Sequence, residues 1–134
     1  MGVKLVAYDG SEASKKALQQ AAGLMKPGDE LVLVMVVPTA VIKEFADVPP
    51  DVSTSKARAM VEAAVEELRG RGVSARGVVR EGDIADEILN LSAELSADII
   101  VIGHRGLSKI GRFAIGSVAD RVVRYASRPV LIVR

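Results

Sequence analysis

The chain has 134 residues, 49% of them hydrophobic and 26% charged, with a formal net charge of +1. That length fits one domain, 1–134, able to bury roughly two-thirds of its unfolded surface without staples, and the composition is that of a folded chain. The absence of cysteine and the single histidine exclude disulfides, Fe–S clusters, thiolate zinc sites and His-rich metal centres, while so small a net charge gives no basis for general nucleic-acid or membrane-surface binding. Aromatics are 3% of the residues, so the core must be built from Val, Ile, Leu and Ala. No apolar run approaches the ~20 residues of a membrane-spanning helix. No targeting pattern stands at the start, and the expected location is cytoplasmic.

Lys4–Tyr8 reads as a first strand, ending in Asp9-Gly10-Ser11. Ser11 is a good N-cap, and Ala17, Ala21 and Leu24 then recur at helical spacing until Pro27-Gly28-Asp29. Leu31–Val37 is apolar at every position, as a strand covered on both faces should be. Residues 38–52 contain three prolines and no period, predicting a long loop. Ser53 or Thr54 is then the expected cap of a helix carrying Ala57, Val61, Ala64 and Leu68 on one face, stopped by Gly70-Arg71-Gly72. Val73–Arg80 follows as a strand. Glu81-Gly82-Asp83 turns into a helix with Ile84, Ile88, Leu91 and Leu95 in register, and Asp98–Ile102 is the next strand. Gly103–Ile115 is a loop, Gly116–Ala126 a helix and Pro129–Val133 the last strand. Five strands alternating with four helices predict an α/β fold, a parallel sheet with helices on both faces.

In such sheets ligands bind beyond the carboxyl ends of the strands. Two of those ends carry chemistry. Ala7-Tyr8-Asp9-Gly10-Ser11 places an acid directly after the first strand. Ile102-Gly103-His104-Arg105-Gly106 leads on to Gly116-Ser117 at the start of a helix, with basic residues at 105, 109 and 112 and no acid between. Glycines at 103, 106 and 116 would let backbone approach an anion. A helix N-terminus supplies free N–H groups and a positive dipole end. From His104 to Arg134 seven residues are Lys or Arg, and Asp120 is the single acid. The same features also suit a plain turn followed by a serine cap, and both readings stand on the residues alone.

Gly103-x2-Gly106-x9-Gly116-Ser117, the Tyr8-Asp9-Gly10-Ser11 start and the closing Arg128-Pro129-Val130-Leu131-Ile132-Val133 together resemble the universal stress protein family, along nearly the whole chain. The resemblance implies an open five-stranded sheet of order 3-2-1-4-5, an adenine nucleotide such as ATP as ligand, and a homodimer. It places Ala7, Tyr8 and Asp9 at the nucleoside end and the Val36 backbone against adenine. Ile102, Gly103 and Gly106 would line the ribose and first phosphates, with Arg105 a further nucleotide contact, and Gly116, Ser117 and Val118 would hold the outer phosphates. Tyr8 is bulkier than the residue often found there, and Ala119 lacks a hydroxyl that some nucleotide-binding members carry.

Asp9 could hold Mg²⁺ or Mn²⁺ bridged to phosphate, bond a sugar hydroxyl, or cap its turn. Lys109 and Arg112 are candidate phosphate clamps or solvated charges, and His104 could touch a phosphate or sugar but reads rather as a solvated loop residue. No P-loop and no placeable Ser–His pair exists, so the expectation is a nucleotide-responsive binding module. A slow Mg- or Mn-dependent ATPase and a ligand-free interaction dimer remain the alternatives. The apolar last strand, 129–133, would lie at a sheet edge in the implied order, and pairing with a second copy would cover it.

Overall fold

The computed structural model describes residues 2–38, 50–105 and 116–134. Its elements are β1 (Val3–Ala7), α1 (Glu12–Gly23), β2 (Glu30–Pro38), α2 (Pro50–Gly70), β3 (Ala75–Gly82), α3 (Ile84–Glu94), β4 (Ile99–Gly103), α4 (Ser117–Tyr125) and β5 (Val130–Val133). The five strands form one parallel sheet in the order β3-β2-β1-β4-β5.

Strand periodicity sorts the core into two layers. Val6, Leu31, Leu33 and Val101 point to the face covered by Ala17, Leu18 and Ala21 of α1 and by Val61, Val65 and Leu68 of α2. Leu5, Val32, Val34, Ile100 and Ile102 point to the other face, under Ala85, Ile88 and Leu91 of α3 and Ala119 and Val122 of α4. The unbroken apolar run of β2 follows from this, because both of its faces are covered. No helix among the described residues is long and apolar enough to cross a membrane.

The boundaries shift by a residue or two from those read in the sequence, except around the prolines. Pro38 completes β2, and α2 already begins at Pro50. A proline in the first turn costs a helix nothing, since that N–H has no intrahelical acceptor. Ser53 and Thr54 therefore lie inside α2 and do not cap it. Most of the expected loop, 39–49, falls outside the described residues. β3 runs from Ala75 to Gly82 because β2 extends far enough to pair with it, Pro38 lying opposite Gly82.

At the amino end of the sheet, Lys4 is buried between two carboxylates, its Nζ 2.8 Å from Asp98 and 3.2 Å from Asp29. The bond to Asp98 is the leading reason its pKa is raised. Asp29 accepts the N–H groups of Gly2 at 2.8 Å and Lys26 at 2.9 Å, which, with Lys4, lower its pKa to about 2. A carboxylate whose folded pKa lies below its unfolded value stabilises the fold above the unfolded value, and that contribution is lost as pH falls through the folded one. Chemical denaturation between pH 5 and pH 2 should therefore show stability falling with acid, and less steeply in Asp29→Asn. Equal slopes for both proteins would contradict this role.

Candidate functional site

The chain leaves β1 for α1 on one face of the sheet, whereas β4 leads on to α4 on the other face. The divergence opens a crevice between the carboxyl ends of β1 and β4, the switch point of the strand order. A cleft of about 340 Å³ occupies it, within the range typical of small-ligand sites.

One wall is the turn after β1. Gly10 has φ +82°, a left-handed conformation that a side chain would strain. Asp9 Oδ1 accepts the Ser11 N–H at 2.9 Å, and the Asp9 N–H donates to Ser14 Oγ at 3.3 Å. Ser14 Oγ in turn donates to the Ser11 carbonyl at 3.0 Å, while Ser11 Oγ accepts the Ser14 N–H at 3.2 Å and so caps α1. Asp9 thus caps its own turn with one oxygen, and Oδ2 has no hydrogen bond among the described residues. It is the only acid among the described residues that line the cleft.

The opposite wall is built by His104 and Gly116. The His104 N–H donates to the Val133 carbonyl at 2.8 Å, and the Gly116 N–H donates to the His104 carbonyl at 2.7 Å. These two bonds set the first turn of α4 against the end of β4. Gly116 is the N-cap and brings no side-chain acceptor. Its carbonyl accepts the Asp120 N–H at 2.9 Å, leaving the N–H groups of Ser117, Val118 and Ala119 without partners among the described residues. The other helices bordering the cleft differ. Ser11 caps α1, and Asp83 caps α3 by accepting the Asp86 N–H at 3.0 Å. Arg105 stands beside the bare turn, its Nε buried and without a hydrogen-bond partner among the described residues.

The floor is apolar: Val34, Met35 and Val36 of β2, with Pro38 above them and Ile84 and Ile88 from α3. β1 pairs with β2 as far as Ala7 opposite Val34, and the Tyr8 N–H reaches the Val34 carbonyl at 2.9 Å. In a parallel ladder alternate residues of a strand bond to alternate neighbours. Val36 therefore turns its N–H and C=O to the side that β1 has already left.

Of the residues the sequence singles out, Ala7, Tyr8, Asp9, Val36, Ile102, Gly103, Arg105, Gly116, Ser117 and Val118 all line this cleft. Gly106, Lys109 and Arg112 lie outside the described residues. Three readings change. A Cβ on Gly103 would meet the Ala13 backbone carbonyl carbon and oxygen at 2.8 Å, so that glycine is needed for α1 to pack on β4. Ser117 is the first helical residue and not the cap. His104, for which the sequence leaves both a ligand contact and a solvated loop position open, is a half-buried wall of the cleft. Ile84, Ile88, Met35 and Pro38 were not anticipated, because in the sequence they belong to ordinary helix and strand patterns. Among the described residues no three acidic or histidine side chains gather as a metal site.

An open five-stranded parallel sheet with helices on both faces and a crevice at its switch point defines a doubly wound α/β domain. Within that class the chain belongs to the universal stress protein family, whose model matches residues 4–134. It is 34% identical to the universal stress protein YxiE of Bacillus subtilis, with 97% of each chain covered. The solved hypothetical protein MJ0577 shares the fold at a TM-score of 0.90 and 26% identity, over 98% of this chain and 94% of that one. A universal stress protein from Archaeoglobus fulgidus in complex with dAMP aligns at a TM-score of 0.76 and 25% identity, over 100% of this chain and 98% of the other.

Proposed function

We propose that the cleft binds an adenine nucleotide, ATP among them, and that the chain is a nucleotide-responsive stress module. The observation that carries this reading is a single cleft holding both a bare helix N-terminus and an unpaired strand edge. The N–H groups of Ser117 and Val118, without partners among the described residues, and Arg105 beside them suit phosphate oxygens. The N–H and C=O of Val36 suit the edge of adenine, which offers an acceptor next to an amino donor. Val34, Met35, Ile84 and Ile88 supply the apolar surface on which a base is desolvated. Asp9 Oδ2 would take a ribose hydroxyl or a Mg²⁺ or Mn²⁺ ion that accompanies the phosphates. Gly106 joins this set on the resemblance alone. The dAMP complex of the Archaeoglobus fulgidus relative supports the same ligand class.

A bound nucleotide at about 100 times its dissociation constant adds ~2.7 kcal/mol to stability, sufficient for a sensing role. β5 lies at the sheet edge with Val130, Leu131 and Ile132 only partly covered, which supports homodimer pairing through 129–133.

Calorimetric titration with ATP, ADP, AMP and cyclic AMP, with and without Mg²⁺, tests the ligand, and sedimentation velocity of the same sample tests the dimer. Saturable heat with at least one adenylate and a two-chain sedimenting species are expected. No heat from any of them would leave the cleft without this role. A one-chain species at micromolar concentration would remove the dimer. Sustained phosphate release with Mg²⁺ would make the chain an ATPase instead.

A further inference from the structure

The chain has no cysteine, so the thiolates on which peroxides usually act are missing and its sulfur is that of four methionines. Met25 and Met35 are partly buried against the core. Met60, on α2, is 38% exposed, the most open of the methionines among the described residues. Val61, Val65 and Leu68 of the same helix belong to the core, and Met60 stands at the rim of that stripe.

The exposed side chain still has a structural contact. A Cβ built on Gly10 would lie 2.5 Å from Met60 Cε, so the thioether methyl fills the space that a side chain at position 10 would take. Gly10 is the left-handed residue of the turn after β1, spanned by the bond from the Ser11 N–H to Asp9 Oδ1. Met60 therefore packs on the turn that presents Asp9 to the cleft, without lining the cleft itself.

Resting on the adenylate reading above, we propose that Met60 is an oxidation site whose conversion to the sulfoxide by hydrogen peroxide loosens the 9–11 turn and lowers adenylate affinity. The step is an oxygen transfer. The sulfur lone pair takes one peroxide oxygen as the O–O bond breaks. The hydrogen on that oxygen passes to the other, which leaves as water, so sulfur is oxidised by two electrons and the peroxide is reduced. The product is polar. An S=O held against Gly10 without a hydrogen-bond partner costs free energy, so the side chain turns to solvent and uncovers the turn. Methionine sulfoxide reductases restore the thioether, which makes the change reversible.

The test treats the full chain with hydrogen peroxide and locates the added oxygen by peptide mass spectrometry. The adenylates above are titrated calorimetrically before and after treatment, for wild type, Met60→Leu and Met60→Gln. Oxidised wild type should bind about five-fold or more weakly, the lower range of coupling between sites, and recover after treatment with the reductases. Leucine fills a similar volume and carries no sulfur, so Met60→Leu should bind nearly as untreated wild type does and keep that affinity after peroxide. Met60→Gln, polar at similar length, should be weakened without any oxidant. A loss in peroxide-treated Met60→Leu equal to that of wild type would assign the effect to another sulfur, Met35 of the cleft floor among them, and overturn the proposal. So would a Met60 that stays unmodified while other methionines are oxidised. Failure of the untreated wild type to bind any adenylate would instead overturn the adenylate reading, and the coupling with it.

Discussion

Replacing Gly103 by alanine should lower stability by about 1–3 kcal/mol, the usual cost of forcing an extra methyl into a packed interior. The cause is specific. The new Cβ would lie 2.8 Å from the backbone carbonyl carbon and oxygen of Ala13 and 2.9 Å from its Cβ. Backbone cannot swing aside as the tip of a long side chain does, so α1 must back away from β4. Because α1 is capped by Ser11, which is tied to Asp9 through the turn, the site would move with it and ligand affinity should fall as well. Urea unfolding measures this as a lower midpoint at constant slope. Ala13→Gly in the same chain should restore only part of the loss, since the contact with the Ala13 main chain remains. An unchanged midpoint in Gly103→Ala would mean that α1 does not press on β4 as described.

Ser117→Pro separates binding from folding. Proline is well tolerated at the first helical position, and it requires an extended residue before it. Gly116 already has φ −57° and ψ 148°, so α4 should form as before. The substitution deletes one main-chain donor and one hydroxyl at the mouth of the cleft. Loss of a charge-assisted hydrogen bond costs about 1.5–3 kcal/mol, and adenylate affinity should drop by about ten-fold or more at nearly constant melting temperature of the free protein. Undiminished affinity would show that the α4 turn does not touch phosphate. A large fall in melting temperature would show that Ser117 is structural.

The sequence alone determined the alternation of strands and helices, the apolar faces that make the core and the two strand ends, 7–11 and 102–105, that border the cleft. Each of these is local or periodic: an apolar run in β2 covered on both faces, Ile84, Ile88 and Leu91 on one stripe of α3, Ser11 and Asp83 as caps. The strand order came with the family resemblance, since local pattern says nothing about which strands become neighbours. Only the tertiary structure decided why Gly103 is glycine, because Ala13, the atom group it makes room for, is distant in the chain. The same holds for Val36, whose main-chain groups are free only because β1 ends beside Val34, and for Met60, whose place over Gly10 depends on how α2 packs. A residue's own pattern reveals the element it belongs to. What that residue faces across a cleft depends on where the other elements stop, and only the folded chain fixes that.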